Sequence, residues 1–185
     1  MINSLSTKFL ISLSFFLNIT ILQSQKSDIW SDDNFTGLEF RSIGPALMSG
    51  RISDIAIHPE DENTWYVTVG SGNVWKTQNS GITWDPIFDD QASYSIGCVT
   101  IDPNNPEVVW IGTGEDQGGR HFGYGDGIYK SLDGGKNWTN MGLKNSERIS
   151  KILIHPKNSN IVWVAVQGPL WSSGGQRGLY KTVDG

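Results

Sequence analysis

Two glycine-rich segments carry the side chains of this sequence that are best suited to contact a ligand. Residues 114–127 read GEDQGGRHFGYGDG, and residues 167–178 read QGPLWSSGGQRG. Carboxylates, arginines and aromatic rings on surface loops suit a sugar or peptide ligand, because such sites combine apolar contact with a few placed polar groups. The residues that we predict to contact a ligand are Glu115, Asp116, Arg120, His121, Tyr124, Trp171 and Arg177.

The arginines and aromatic residues of these segments have distinct expected roles. Arg120 and Arg177 offer fork-shaped donors for a carboxylate or for sugar hydroxyls, and Tyr124 or Trp171 offers a stacking plane. Glu115 and Asp116 are adjacent in sequence, which usually sends two side chains apart, whereas glycoside hydrolysis needs two carboxylates that face each other across the bond. The catalytic residues, if the protein is an enzyme, therefore stay unassigned.

The three histidines do not predict a metal site. His58 and His155 occupy equivalent turn positions in a repeat whose third member is Asp102. Such residues commonly accept local hydrogen bonds from the turn. We predict neither a metal nor a cofactor.

The segments that position these loops recur along the chain. IHPEDENTWYVTVG (57–70), IDPNNPEVVWIGTG (101–114) and IHPKNSNIVWVAVQ (154–167) align without gaps on their first proline. Each is preceded by an alternating apolar run and continues into an aromatic, β-branched run, which predicts strand, tight turn, strand. A third run follows at 74–77, 128–131 and 179–182, and a fourth at 83–88 and 138–143.

Four short antiparallel strands in each period of roughly fifty residues are typical of a β-propeller blade. We therefore predict an all-β propeller of four-stranded antiparallel blades, of which this sequence holds about two and a half. Propellers close with roughly four to eight blades, so we expect the sequence to be a fragment that continues beyond residue 185.

The phrase YKSLDGGKNW (129–138) predicts the hairpin between the third and fourth strands. Ser131 and Asp133 offer acceptors to the turn amides, Gly135 allows a positive φ, and Trp138 is an apolar anchor. The residues assigned to this structural turn in the three copies are Thr77, Asn79, Gly81, Trp84, Ser131, Asp133, Gly135, Trp138, Thr182 and Asp184.

This Ser/Thr-x-Asp-x-Gly-x-x-Trp pattern resembles the Asp-box, or bacterial neuraminidase repeat. The tandem units are similar to the propeller of the sortilin N-terminal domain family and of bacterial homologues labelled glycosyl hydrolases. The resemblance implies ligand sites on the face opposite the Asp-boxes. Only the links on that face vary in length, from four residues (70–73) to fourteen (114–127) and twelve (167–178).

The sequence matches the motifs of two enzyme classes with Asp-box propellers only in part. Arg51-Ile52-Ser53 resembles the sialidase Arg-Ile-Pro, whose arginine grips a substrate carboxylate, but lacks the proline. In a xyloglucanase-type enzyme the base aspartate would fall near Gly70, and glycine cannot take a proton. The predicted function is a secreted sortilin-type propeller that binds a peptide, protein or glycan on its loop face, and the alternative is a secreted glycoside hydrolase.

The N-terminal residues and the composition bound the location and partners. Residues 1–24 combine Lys8 with a short apolar run and read as a signal peptide, so we expect export to the periplasm, cell surface or medium. We expect residues 25–50 to be a lead-in that could supply a ring-closing strand at 38–43, and residues 51–185 to form the blades. The net charge of −5, without a Lys/Arg cluster, argues against nucleic acid, and membrane attachment would need an uncleaved signal segment. The single cysteine, Cys98, is expected to be buried.

Overall fold

The computed structural model describes residues 50–116 and 122–185, which fold as antiparallel sheets. Among these residues no helix is long and apolar enough to cross a membrane. The strands are β1 (Ile52–His58), β2 (Asp61–Val69), β3 (Asn73–Thr77), β4 (Asp85–Pro86), β5 (Ile96–Ile101), β6 (Val109–Thr113), β7 (Ile128–Ser131), β8 (Thr139–Gly142), β9 (Ile149–His155), β10 (Asn158–Val166) and β11 (Gly178–Thr182).

These strands form three consecutive blades in which chain order equals spatial order. Blade 1 is the sheet β1-β2-β3-β4, blade 2 is β5-β6-β7-β8, and blade 3 is β9-β10-β11. Every pairing within a blade is antiparallel. The predicted all-β architecture of antiparallel units is confirmed.

The fourth strand of each complete blade is shorter than predicted. The sequence predicts strands at 83–88 and 138–143, but the ladders cover only Asp85–Pro86 and Thr139–Gly142. Pro86 has no N–H to extend the ladder, and after a last bond from Ile87 N to Val74 O (3.1 Å) the chain turns so that Phe88 enters the core. In blade 2 the left-handed φ of Leu143 (56°) ends the strand.

The core lies between neighbouring blades, because alternate residues of a strand point to opposite faces of its sheet. Tyr66 and Phe88 of blade 1 pack against Val109 and Ile111 of blade 2. Trp110, on the other face of blade 2, packs against blade 3. Burial of this kind is the main favourable term in folding.

Cys98 also belongs to the core between blades 2 and 3. It is buried as expected, and burial raises the pKa of its thiol to about 12. It is therefore a structural residue and a poor nucleophile at neutral pH.

The tight turns of each blade lie together at one end, which we call the turn face. In all three blades the hairpin that follows the third strand donates a backbone N–H to a carbonyl close to the start of the second strand. The three equivalent bonds are Ser80 N to Asn63 O (3.0 Å), Gly134 N to Glu107 O (2.8 Å) and Gly185 N to Asn160 O (3.0 Å).

The hairpin of blade 2 shows how its polar residues hold the turn. Asp133 Oδ1 accepts hydrogen bonds from Ser131 Oγ (2.8 Å), Lys136 N (3.0 Å) and Asn137 N (2.9 Å). The Asn137 side chain donates to Asp133 Oδ2 (2.6 Å), and this bond contributes most to lowering the pKa of the Asp133 carboxyl to about 2, with the bonds to Oδ1 adding to it. Trp138 donates its Nε1 proton to Ile87 O (2.7 Å) of blade 1, so it anchors the turn on the preceding blade and not only on its own sheet.

The equivalent turn residues His58, Asp102 and His155 each accept a hydrogen bond from the amide two residues later. The distances are 3.2 Å to Glu60 N, 2.8 Å to Asn104 N and 3.1 Å to Lys157 N. Local turn bonding is therefore the role that the structure gives to these positions. The predicted signal peptide, the lead-in and the ring-closing strand at 38–43 lie outside the described residues.

Candidate functional site

The links between the second and third strands lie at the end of the blades opposite the turn face, which we call the loop face. A repeated backbone bond ties each link to the residue that precedes the first strand of its blade. These bonds are Gly70 N to Arg51 O (2.8 Å), Gly114 N to Ser95 O (2.7 Å) and Gln167 N to Arg148 O (3.0 Å). Arg51, Ser95 and Arg148 are thus equivalent positions from which two arginines and a serine enter the loop face.

Glu115 is completely buried between blades 1 and 2, although the sequence favours a ligand contact. Its Oε1 accepts a hydrogen bond from Arg51 Nε (2.5 Å), and Arg51 remains half-exposed. A Cβ on Gly70 would lie 2.7 Å from Glu115 Cδ, so the carboxylate occupies the space that a side chain at position 70 would need. The carboxylate is packed against blade 1 and not extended into solvent, and the predicted ligand contact of Glu115 stays a prediction.

Ser95 connects the links of the two blades. Its Oγ lies 2.7 Å from Gly70 O and 2.9 Å from Gly123 O, and it accepts a hydrogen bond from Glu115 N (3.1 Å). A hydroxyl has one proton, so the two carbonyls share it. Ser95 therefore holds Glu115 and Gly123, which lie in the two described parts of segment 114–127, against blade 1.

The second half of this segment is also held by the scaffold. Gly125 N donates to Glu147 O (2.7 Å), and Thr113 Oγ1 accepts from Asp126 N (2.9 Å). Tyr129 donates its hydroxyl proton to Asp126 Oδ2 (2.6 Å), and burial raises the pKa of Tyr129. Arg120 and His121 lie outside the described residues, so their predicted contacts are untested.

Exposed aromatic rings are the most accessible recognition groups of the loop face. Tyr124 is 56 % exposed and Trp171 is 70 % exposed, and both were candidates from the sequence. Tyr94, in the link between blades 1 and 2, is 61 % exposed and was not. Phe122 meets Tyr124 edge to face at 6.4 Å. Stacking surfaces of this kind suit the apolar faces of sugar rings or of peptide side chains.

The buried Arg148 contacts one of these rings, Phe122. Arg148 places its guanidinium 5.4 Å from the Phe122 ring centroid, and its Nε donates to Gly168 O (2.9 Å). It therefore joins segment 114–127 of blade 2 to segment 167–178 of blade 3. This contact between a cation and a ring helps to hold Phe122 in place on the loop face.

The segment at 167–178 is held by hydrogen bonds within itself and to the link between blades 2 and 3. Arg177 donates from Nη2 to Pro169 O, so its fork is engaged at least in part by the backbone of the same link. Gln176 exchanges two hydrogen bonds with Asn145, at 2.9 and 3.3 Å. Trp171 projects from this closed link into solvent. Asp116, the remaining candidate, is half-buried beside Glu115.

Several residues of the loop face were not among the predicted ligand contacts, and Arg51 was considered only for its resemblance to the sialidase motif. Arg51, Ser95 and Arg148 share one register position, and that equivalence was readable from the repeat alignment. Tyr94 and Phe122 carry no such signal, because their exposure and contacts depend on how the links fold. Within residues 50–116 and 122–185 no group of three His, Cys, Asp or Glu side chains could hold a metal ion.

Comparisons with known proteins identify the architecture. No protein-family model and no curated protein matches the chain. An ancestral GH74 enzyme superposes with a TM-score of 0.54 at 17% identity, covering 72% of this chain and 17% of its own. The GH74 enzyme of Niastella koreensis gives 0.52 at 25% identity, covering 69% and 19%. The GH74 xyloglucanase of Xanthomonas campestris gives 0.52 at 17% identity, covering 69% and 20%.

The described residues form β-propeller blades. Their four-stranded antiparallel sheets and the propeller fold of these neighbours agree on this point. The chain spans about a fifth of the length of the neighbours that it matches.

Proposed function

We propose that this propeller binds a carbohydrate on its loop face. The observation that carries the proposal is the group of exposed rings on that face, Tyr94, Tyr124 and Trp171, at 61, 56 and 70 % exposure. Exposed apolar surface that is gathered on one face of a protein often marks a binding site. The similarity to GH74 enzymes, one at 25% identity, supports a glycan over the peptide or protein ligands.

The loop face is suited to binding because the residues around its exposed rings are rigidly held. Arg148, Ser95 and Glu115 are buried and hydrogen-bonded beneath or beside the rings. A preformed surface loses little conformational freedom when a ligand docks. Sugar hydroxyls would bond to the half-exposed Arg51 and to the polar groups of the two long links.

The finer assignment is to an exported propeller of the sortilin type. What supports it is the hydrogen bonding of the turn hairpins, in which Thr77 Oγ1 and Ser131 Oγ accept from the glycine amide four residues later at 2.9 and 2.8 Å. Export rests on the apolar run within residues 1–24 of the sequence.

Glycoside hydrolysis is the second candidate, favoured by the position of one carboxylate. Glu115 fills the space above Gly70, the position where a xyloglucanase-type base would be expected. An acid–base pair needs carboxylates on both sides of the bond, roughly 5 to 9.5 Å apart. Glu115 is instead buried and paired with Arg51, so binding without cleavage is the preferred function.

The two functions are separated by one paired experiment on the natural full-length protein. A soluble xyloglucan oligosaccharide is titrated by calorimetry, and the same mixture is assayed for new reducing ends. Heat of binding without new reducing ends is the expected result. New reducing ends would support the hydrolase, and the absence of both signals for this and for other β-linked glucans would overturn a carbohydrate ligand.

A further inference from the structure

Two arginines bond to consecutive carbonyls of the link 167–178 on the loop face. Arg148 Nε donates to Gly168 O (2.9 Å), and Arg177 Nη2 donates to Pro169 O. A Cβ on Gly168 would lie 3.0 Å from Arg177 Cβ and 3.2 Å from its Nε, so the second arginine packs against the residue that accepts from the first. Two guanidinium groups therefore lie on one short stretch of backbone.

These two positive charges have no acidic partner in the part of the chain that the structure describes. Neither Arg148 nor Arg177 forms an ion pair with an Asp or Glu of residues 50–116 and 122–185. Arg148 is only 5 % exposed, and a buried charge is costly unless it is paired. Each guanidinium carries five N–H donors, of which the bond to the link carbonyl uses one. The remaining donors suit an anionic ligand.

A buried hydroxyl in the same part of the loop face also has no partner among the described residues. Ser146 Oγ is completely buried and forms no hydrogen bond there. Ser93 precedes the first strand of blade 2 by three residues, as Ser146 does in blade 3. Its Oγ lies 3.1 Å from Ser95 O and 3.3 Å from Tyr124 O, so it helps to hold the link of blade 2. The link of blade 3 bonds to Asn145 instead, and the scaffold leaves the Ser146 hydroxyl unused.

The hydroxyl and the two arginines approach the same link. In blade 2 the serines at the equivalent positions lie at the consecutive carbonyls of residues 123 and 124. In blade 3 these positions hold Ser146 and Arg148, and Arg148 reaches Gly168 O of its own link. Arg177 belongs to that link. A buried polar group without a partner costs free energy, which a ligand that bonds to it would recover.

We propose that the link 167–178 binds the carboxylate of a uronic acid unit in the glycan, with Arg177 and Arg148 as the charged donors and Ser146 as a hydroxyl donor. The inference rests on the proposed carbohydrate binding and specifies the class of sugar. A guanidinium fork bonds to both oxygens of a carboxylate, whereas a neutral hydroxyl leaves the positive charge unpaired. Arg177 is exposed and contacts the ligand from the open side, while Arg148 supplies a second charge from the base of the link.

The surroundings of the arginines favour a sugar with few charges over a polyanion. The sequence has a net charge of −5, which repels a ligand that carries many carboxylates. Trp171 lies in the same link and is exposed, so it offers a stacking plane to the ring of the sugar. A single uronic acid unit within a neutral glycan satisfies both conditions.

A matched pair of oligosaccharides tests the inference on the natural full-length protein. One is a neutral β-linked glucan tetrasaccharide, and the other has glucuronate as its non-reducing terminal unit. In calorimetric titrations the acidic oligosaccharide should bind at least about tenfold more tightly, because charge-assisted hydrogen bonds replace neutral ones. Equal affinities would overturn the carboxylate site and leave carbohydrate binding intact. No binding of either oligosaccharide would overturn both proposals.

Variants assign the preference to the arginines. Arg177→Gln should lower the ratio of the acidic to the neutral affinity about fivefold, and Arg148→Gln should act in the same direction. Arg148 is buried, so the ratio is compared, because a general loss of folded protein weakens both oligosaccharides alike. Lys157→Gln removes a positive charge from an exposed position of the turn face and should leave the ratio unchanged. An unchanged ratio in Arg177→Gln, or an equal fall in Lys157→Gln, would overturn the assignment.

Discussion

The glycine at position 70 determines where the Glu115 side chain lies. Gly70 leaves a space at the loop face, and the Glu115 carboxylate of the next blade fills it. A buried carboxylate is costly unless it is paired, and Arg51 supplies the charge. Glu115 therefore contributes to the loop face by holding Arg51 and the start of the long link in place.

Removal of this carboxylate should destabilise the protein. Glu115→Ala removes the carboxylate that accepts from Arg51 and opens a void beside Gly70, which we expect to lower the free energy of unfolding by about 1–3 kcal/mol. Urea denaturation measures the effect. Glu60→Ala, at an exposed turn position, serves as the control and should stay within about 0.5 kcal/mol of wild type. Equal stability of the two variants would contradict the structural role of Glu115.

Asp133 should make stability depend on pH in the acidic range. Its folded-state pKa is about 2, against 3.8 for an unperturbed carboxyl, so the folded protein takes up its proton less readily than the unfolded chain. The stabilisation is complete above pH 3.8 and is lost as the pH falls towards about 2.

Asp133→Asn is the matched variant for this effect. Asn79 already accepts hydrogen bonds from Thr83 N (2.9 Å) and Thr77 Oγ1 (3.0 Å) in the same turn of blade 1, so an amide fits the position. The variant should lose less stability than wild type between pH 3.8 and about 2, as measured by thermal melts. Parallel losses in the two proteins would show that another group titrates.

At the scale of an element, the long link of blade 2 depends on a close approach between backbones. Gly114 has a φ of 83°, and a Cβ there would lie 1.8 Å from Glu147 O. Gly174, in the long link of blade 3, has a φ of 91° but nothing within 4 Å of its Cβ position. Alanine at Gly174 would therefore cost only the left-handed backbone conformation, whereas alanine at Gly114 would also collide with Glu147 O.

Gly174→Ala should cost about 1–2 kcal/mol for the left-handed conformation alone. Gly114→Ala should cost about 1–3 kcal/mol more, because the backbone of the link to blade 3 must move. Chemical denaturation of both variants measures the difference. If Gly114→Ala proved no worse than Gly174→Ala, the contact between the link and Glu147 O would not be needed for stability.

The strands were predictable from the sequence, because each repeat carries similar turn residues at the same positions. The gap-free alignment on Pro59, Pro103 and Pro156 places the first three strands of every blade within a few residues of their observed bounds. The fourth strand was overestimated, because its end depends on where Phe88 enters the core and not on a local turn signal.

The loop face was only partly predictable for the same physical reason. Tyr124 and Trp171 are exposed, as their loop positions suggested, but Glu115 is buried and Arg177 bonds to its own link. Loops of fourteen and twelve residues have many conformations, and their contacts are set by neighbouring blades. Tyr94 was missed because its exposure depends on how the link between blades folds.

At the scale of the whole molecule, the two faces have separate roles. The turn face is held by equivalent backbone bonds in all three blades, and the hairpin of blade 2 is anchored on blade 1 by Trp138. The loop face carries the variable links on a rigid base. Substitutions on one face should therefore leave the property of the other nearly unchanged, because distant sites are usually additive.

Calorimetric titration of a soluble β-linked glucan oligosaccharide against wild type, Trp171→Ala, Tyr124→Ala and Asp133→Asn tests carbohydrate binding by the loop face most directly. Loss of a stacking ring should weaken binding at least about fivefold, since such contacts contribute about 1 kcal/mol or more. The two ring variants should show this loss with nearly unchanged Tm, because both rings are exposed. Asp133→Asn, on the turn face, should bind as wild type does. Wild-type affinity in both ring variants, or weaker binding only in Asp133→Asn, would contradict the loop face as the binding surface.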